Sequence, residues 1–244
     1  MEKLVKFKPI SLQEMNAVSL MKRLDSKFLA TVQQLPLIFE EIYRDYRILE
    51  ISKQRKMRYA TLYFDTADKQ FFNDHHNGKA NRKKIRMRKY LDSDLCFLEI
   101  KEKSNAGVTN KVRCTVIDFE QELSDQSMDF IYATTQKRWD LNPVMYNLFQ
   151  RITLVNNNMT ERVTIDTDLG YKTENQEFKF PNLAIIEVKQ ERNRLKSPIC
   201  KTLKMLKVSK VSFSKYCIGA TRIFENLKYN RFKEINLKIN KLSN

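Results

Sequence analysis

The sequence predicts an α+β protein whose centre is an antiparallel β-sheet with helices packed against its outside. About eight short strand-like runs alternate with turns along the 244 residues, which is typical of an antiparallel sheet. Most connections between these runs are too short for the crossover of about a dozen residues that parallel neighbours need. Helical patterns lie near both ends of the chain, where they are available to cover the sheet.

The elements can be assigned in order along the chain. It is expected to begin with an amphipathic helix at Ser11–Leu24 and a short strand at 26–30. A second helix is expected from Thr31, because Gln34 three residues later is typical of a capping box and Pro36 is tolerated in a first turn. Further strands are expected at residues 46–51, 59–66, 83–90, 95–103, 110–119, 151–156, 161–169 and 183–191, and helices at 125–139, 197–206 and 213–232.

Charged and apolar side chains alternate in five of the predicted strands. Because successive side chains of a strand point to opposite faces, Lys84, Arg86 and Arg88 share one face and Ile85 and Met87 share the other. The same spacing groups Glu99 with Lys101, Lys111 with Arg113, Arg162 with Thr164 and Asp166, and Glu187 with Lys189.

This alternation allows two arrangements, an open sheet with its polar face in water or a closed barrel with its charged face inward. The charged positions are almost purely Arg, Lys and Glu, whereas a solvated face would contain more Ser, Thr, Asn and Gln, so the barrel is favoured. A lumen lined by cations repels itself unless it holds an anion such as phosphate. Glu99 and Glu187 would suit a hard divalent cation that bridges to phosphate oxygens.

The overall composition points to a polyanionic partner. Lys and Arg number 45 against 29 Asp and Glu, a formal net charge of +16. Nucleic acid, nucleotides, polyphosphate and an anionic membrane surface all fit this charge. We expect one domain over residues 1–244, because the 4 Gly and 5 Pro argue against long linkers. We also expect a cytoplasmic protein with reduced cysteines, since there is no secretory signal, no apolar run of about 20 residues and no zinc-like cysteine spacing.

Several motifs, taken in order, resemble the VTC domain, the polyphosphate polymerase module of the vacuolar transporter chaperone complex. They are "DSKFLA", "YATLYFDT", "RKKIRMRKY", "FLEIKEK", "NKVR", "ERVTIDT", "AIIEVKQ" and "FSKYCIG". This family is grouped with the triphosphate tunnel metalloenzymes and the CYTH proteins. The resemblance implies an eight-stranded antiparallel barrel with a core at about residues 23–231. It also implies transfer of the γ-phosphate of ATP onto polyphosphate, with a divalent metal, Mn²⁺ or Mg²⁺.

The resemblance also implies roles for particular residues. Glu187 would be the metal ligand. Lys189 and Glu99 share faces with matched positions and would also line the tunnel. The phosphate-binding cations would be Lys27, Lys111 and Arg113, which contact substrate, and Arg86, Arg88, Lys101, Arg162 and Lys215, which act on the transferred group.

Three other functions remain open from the sequence. A tripolyphosphatase or nucleoside triphosphatase of the same fold would transfer phosphate to water, with Glu99 as the candidate base. A sensor would bind polyphosphate or nucleotide without turnover. A nucleic-acid-binding protein fits the charge, but no helix-turn-helix, zinc-finger or RNP-type motif is visible, so we regard it as unlikely. The Tyr and Phe residues recur at strand spacing and are interpreted as core, not as platforms for base stacking.

Overall fold

A computed structural model gives the fold and describes residues 2–16, 23–104, 109–191 and 197–243. Its centre is one mostly antiparallel sheet of twelve strands. The strands are β1 (Lys8–Ile10), β2 (Arg23–Thr31), β3 (Tyr46–Leu49), β4 (Met57–Asp65), β5 (Lys83–Tyr90), β6 (Leu95–Lys103), β7 (Thr109–Val116), β8 (Asn142–Asn156), β9 (Glu161–Lys172), β10 (Glu177–Phe180), β11 (Leu183–Glu191) and β12 (Lys210–Val211). The helices are α1 (Leu12–Asn16), α2 (Leu35–Ile42), α3 (Gln70–His76), α4 (Asp125–Thr135), α5 (Pro198–Met205), α6 (Lys215–Ile223) and α7 (Lys233–Ser243).

The sheet is open in its backbone hydrogen bonding. Its main path runs β12-β2-β11-β9-β8-β4-β5-β6-β7, with β3 and β10 added beside β8 and β9 and with β1 parallel to β3. Within the described residues, no backbone pairing joins β7 to β12. The prediction of a closed barrel of eight strands is therefore wrong in strand number, and closure is not confirmed. The additional strands β1, β10 and β12 have only two to four residues, too few to show an alternating pattern.

Most long strands were predicted well, whereas the N-terminal helix was not. The runs at 83–90, 95–103 and 183–191 are β5, β6 and β11. The helix expected at Ser11–Leu24 is wrong at its end, because α1 stops at Asn16 and β2 already starts at Arg23. Residues 17–22 of that prediction lie outside the described residues. At the next helix, the Gln34 side chain accepts a hydrogen bond from the Thr31 N–H, and a 3₁₀ turn precedes α2.

Apolar side chains on one face of the sheet pack under helices. Beneath α2 and α5, Leu154, Ile165 and Ile186 of the sheet form a core with Ile38 and Leu203. A second core lies beneath α4, where Met87, Leu98 and Ile100 pack with Ile131. These side chains are almost completely buried, and their burial stabilises the fold through the hydrophobic effect. The opposite face carries the charged residues together with a third core beneath α6, which includes Leu29, Tyr171 and Ile185.

Helix α6 packs closely against the face of the sheet that carries the charged residues. A Cβ atom at Gly219 would be 2.3 Å from Cδ1 of Tyr171 on β9, so a glycine is needed for this approach. The Tyr216 hydroxyl donates a hydrogen bond to Asp65 at the end of β4, and this carboxylate also accepts from the backbone N–H groups of Phe71 and Phe72. These contacts fix the N-terminus of α6, which begins at Lys215. In the described part of the chain, no helix has both the length and the apolar character that crossing a membrane requires.

Candidate active site

The strand register places the predicted site residues of the sheet on one face. Residues paired across antiparallel strands point to the same side, and Lys27 pairs with Glu187 while Arg86 pairs with Glu99. The same rule joins Glu99 to Arg113, Lys101 to Lys111, Lys189 to Arg162 and Arg151 to Asp166. We call this surface the charged face; it comprises Lys27, Lys84, Arg86, Arg88, Glu99, Lys101, Lys111, Arg113, Arg151, Arg162, Asp166, Glu187 and Lys189.

The charged face is concave, because Phe213 and Ser214, which directly precede α6, contact both β2 and β5, and these strands are far apart in the sheet. Lys27 of β2 donates a hydrogen bond to the Phe213 carbonyl over 2.9 Å, and Lys84 of β5 donates to Ser214 Oγ over 2.8 Å. In the sheet order, β11, β9, β8 and β4 lie between these two strands. Ser214 is also the N-cap of α6 and accepts from the Cys217 N–H. The sheet therefore curls around its charged face and is bridged by side-chain contacts.

Glu99 organises one group of cations. Its carboxylate is 1% exposed and contacts Arg86 Nη2 at 2.7 Å, Lys111 Nζ, and Arg88 Nη1 at 3.9 Å. Burial alone would raise the pKa of Glu99, but the charges of Arg86, Arg88 and Lys111 hold it well below its usual range. A carboxylate so strongly ionised and so fully paired is a poor general base.

Asp166 organises a second group that the sequence interpretation did not assign. Its carboxylate is 3% exposed and accepts a bidentate pair from Arg151, with distances of 2.6 and 2.8 Å, and a contact from Lys215 Nζ. Burial opposes ionisation of Asp166, but the charges of Arg151 and Lys215 lower its pKa well below the usual value. Lys215 is thus brought from α6 onto the charged face, as its predicted role requires.

Glu187 is the carboxylate best placed to hold a metal. Its oxygens lie 3.3 Å from Lys189 Nζ and 3.8 Å from Lys27 Nζ, and its side chain is 18% exposed. Burial opposes ionisation, but Lys189 and Lys27, and then Arg151 and Lys215, lower the pKa of Glu187 to about 2. The described residues contain no group of three or more His, Cys, Asp or Glu side chains that could hold a metal by themselves. Mg²⁺ and Mn²⁺ still fit, because such ions often bind one carboxylate together with waters and substrate phosphates.

The remaining predicted residues lie at the margins of the charged face. Arg162 donates from Nη2 to the Met15 carbonyl over 3.0 Å, beside α1. The guanidinium of Arg113 lies over the Phe97 ring, 4.4 Å from its centroid. Lys101 lies next to Lys111 in the register and is exposed. Arg151 and Lys84 were missed by the sequence interpretation, although Lys84 had been grouped by alternation with Arg86 and Arg88.

The lysines of this site are poised to titrate near neutral pH. Although the Lys101 side chain reaches solvent, desolvation by the surrounding protein, followed by the positive charges of Lys27, Lys84 and Arg86, lowers the pKa of Lys101 to about 7. Burial is also the main cause that lowers the pKa of Lys84, Lys111 and Lys215 to about 8. Without a ligand, the cations of the site therefore repel one another. An anionic ligand reduces this repulsion.

This charge crowding predicts an unusual pH dependence of stability. A lysine with a folded pKa of 7 to 8 and an unfolded value near 10.5 binds more protons when unfolded, so stability rises with pH across this range. We expect the melting temperature of the unliganded protein to increase from pH 6.5 to 8.5, and the stabilisation by added tripolyphosphate to be larger at pH 6.5. Thermal unfolding by circular dichroism measures both. A melting temperature that falls over this interval would contradict the prediction.

Comparisons with known proteins identify a family and structures of similar fold. The sequence profile of the VTC domain matches residues 22–224. A putative adenylyl cyclase from Hippeastrum, described as having a dominant triphosphatase activity, shares 13% identity and a TM-score of 0.50, over 85% of this chain and 99% of that chain. A putative adenylate cyclase from Vibrio parahaemolyticus shares 9% identity and a TM-score of 0.48, over 82% of this chain and 98% of that one. No curated protein sequence is significantly similar to this chain.

These comparisons bear on the fold and on the family. The Hippeastrum structure supports the fold alone, because its identity is low. The match to the family profile covers most of the chain and includes every element that carries the charged face, from β2 to α6. The protein belongs to the VTC domain family.

Proposed function

We propose that this protein is a polyphosphate polymerase that transfers the γ-phosphate of ATP onto the end of a polyphosphate chain. One observation carries the proposal: a concave face on which cations outnumber carboxylates, and on which each buried carboxylate is shared by two or more cations. The net positive charge that remains matches a chain of phosphates. Membership of the VTC domain family supports the choice of polyphosphate as the product.

The residues of the charged face would act by position and charge. Phosphoryl transfer requires little covalent help, because most of the catalysis comes from in-line alignment and neutralisation of charge on the transferred group. Arg86 and Arg88, held by Glu99, would bind the donor phosphates with planar guanidinium groups. Lys215, held by Asp166, would offset charge on the transferred phosphoryl group. Lys27 and Lys111 would bind the acceptor chain, and Lys101 would contact the transferred γ-phosphate.

A divalent metal is part of the proposal. Glu187 would hold it, with phosphate oxygens and waters as its other ligands. A bound metal would supply Lewis-acid neutralisation of charge between the donor phosphates. Lys189 and Lys27 now neutralise Glu187, and their charges become available to phosphate once a cation occupies the carboxylate.

A triphosphatase is the second candidate, because a structural neighbour with the same fold is described as a triphosphatase. Transfer to water would benefit from a general base. The sequence suggested Glu99 for this role, but Arg86, Arg88 and Lys111 keep that carboxylate ionised and covered. A polyphosphate end is already an anion and requires no base, so the arrangement of Glu99 favours the polymerase.

The test is a turnover assay with the whole chain. The protein is incubated with ATP and Mn²⁺ or Mg²⁺, with and without a short polyphosphate primer, and ADP, free phosphate and polymer are measured. We expect polymer and ADP in matching amounts, and loss of both in Glu187→Ala. Free phosphate without polymer would make the protein a triphosphatase. If neither forms, polyphosphate and DNA titrations would show whether it binds one of these polyanions without turnover.

A further inference from the structure

An aromatic row lies beside the cations of the charged face. Tyr59 pairs with Phe149 on one side and with Tyr90 on the other, so all three point to the charged side of the sheet. The rings of Tyr59 and Phe149 are stacked with centroids 5.1 Å apart, and Tyr59 and Tyr90 are 4.8 Å apart. Phe97, which pairs with Arg88, extends the row and lies 5.8 Å from Tyr90.

Only one end of this row is available to a ligand. Tyr59 and Phe149 are buried, and the guanidinium of Arg151 lies over both at 5.3 and 5.2 Å. Tyr90 and Phe97 are only partly buried. Tyr90 packs against the core beneath α6, as the sequence predicts, whereas Phe97 belongs to no core cluster among the described residues. Their position on the charged face leaves ring surface open next to phosphate-binding cations.

The surroundings of Phe97 are apolar and exposed. Leu95 pairs with Tyr90 and is 51% exposed, and Ile117, directly after β7, is 99% exposed. Arg113 lies over the Phe97 ring at 4.4 Å, and its side chain is itself exposed. The guanidinium shows that the Phe97 ring accepts a flat stacking partner, and a flat, aromatic ligand would take its place on the ring and keep the exposed Arg113 on its outer face.

We propose, resting on the proposed function, that the nucleobase of the nucleotide donor displaces the Arg113 guanidinium from the Phe97 ring and stacks there beside Tyr90, with Arg113 moving to cover the other face of the base. The triphosphate then extends along β6. At about 3.3 Å per residue, Glu99 with its cations lies roughly 7 Å from Phe97 and Lys101 roughly 13 Å away. The α-phosphate thus lies toward Arg88, and the γ-phosphate lies toward Lys101 and Lys84. This fixes the direction in which the donor enters.

The proposed contacts also define the specificity. Stacking uses the π-face that all bases share, whereas hydrogen bonds to base edges distinguish them. The rings of Tyr90 and Phe97 and the side chains of Leu95 and Ile117 offer mainly apolar surface. We therefore infer that purine nucleoside triphosphates are accepted with little distinction between adenine and guanine, and that nucleotides bind more tightly than tripolyphosphate.

The test compares two ligands in matched variants. Isothermal titration without divalent metal, which keeps ATP from being turned over, measures the Kd of ATP and of tripolyphosphate for the wild-type chain, Phe97→Ala and Phe97→Leu, the last of which keeps apolar volume. We expect the Kd of ATP to rise on the order of 10-fold in both variants, as for other base–aromatic stacks, with tripolyphosphate unchanged. Phe97→Trp is expected to retain ATP affinity. The control is Tyr132→Ala, which removes an exposed ring, also stacked by an arginine, from α4.

Each outcome decides the proposal. A selective loss of ATP affinity in Phe97→Leu supports the stacking site. Equal losses for ATP and tripolyphosphate would show that Phe97 only maintains the fold, and unchanged ATP binding would place the base elsewhere; both overturn the proposal. Because binding is measured without turnover, a protein that makes no polymer but loses ATP affinity selectively would refute the polymerase and retain the nucleobase site.

Discussion

Replacing Glu99 with glutamine is expected to lower the free energy of unfolding of the ligand-free protein by about 3–5 kcal/mol. Glu99 is nearly inaccessible and is shared by Arg86, Lys111 and the more distant Arg88. Removing the negative charge leaves these cations close together with no carboxylate among them. Such a loss is a large part of the stability of a typical domain, so the melting temperature falls by many degrees.

The same substitution should increase the response to phosphate ligands. Tripolyphosphate offers new anionic partners for Arg86, Arg88 and Lys111, and a ligand at 100 times its Kd stabilises a protein by about 2.7 kcal/mol. Thermal unfolding with and without tripolyphosphate measures the recovery. Glu40→Gln is the control, because that carboxylate is partly exposed and pairs with Lys3 and Lys6 on the surface. A Glu99→Gln protein that unfolds at the wild-type temperature, or that tripolyphosphate does not restore, would contradict the electrostatic role assigned to Glu99.

The alternating pattern was sufficient to group many of the candidate site residues on shared strand faces, because it depends only on strand geometry. In β5 a period of two residues requires Arg86 and Arg88 to share a face, and in β6 it requires the same of Glu99 and Lys101. The register between the two strands then puts both pairs on one side of the sheet. The family motifs then added Lys215, which lies on a helix and has no strand pattern of its own. The partner that brings Lys215 to the site, Asp166, was visible only as a member of a strand face.

The missed features depend on contacts between distant parts of the sequence. Arg151 lies within the 15-residue strand β8. Its place in the candidate site is visible only from the register, which pairs it with Asp166. The curling of the sheet depends on contacts from Lys27 and Lys84 to residues 186 and 130 positions away. Local patterns do not encode such distances, and for the same reason the predicted closed barrel proved wrong in its strand number and unconfirmed in its closure.

Replacing Arg86 with alanine is expected to reduce the rate of phosphoryl transfer on the order of 10³-fold or more, the scale of other arginines that neutralise the transferred group. Arg86 donates two hydrogen bonds to Glu99 from Nε and Nη2, at 2.8 and 2.7 Å. Loss of this side chain still leaves Glu99 paired with Lys111 and near Arg88, so the fold should be retained. A loss of rate in Arg86→Ala can therefore be attributed to catalysis, whereas Glu99→Gln is expected to change the stability of the fold.

The measurement is initial-rate ADP release with saturating ATP, together with the melting temperature of each variant. Arg58→Ala is the matched control, since Arg58 lies on β4 of the same sheet, is exposed and pairs with Asp92 away from the charged face. Arg86→Lys separates charge from geometry, because lysine keeps the charge but loses the planar fork that binds phosphate at two points. We expect its rate to lie between those of alanine and wild type. A wild-type rate in Arg86→Ala would remove Arg86 from the catalytic group, and a wild-type rate in Arg86→Lys would show that charge alone is sufficient at this position.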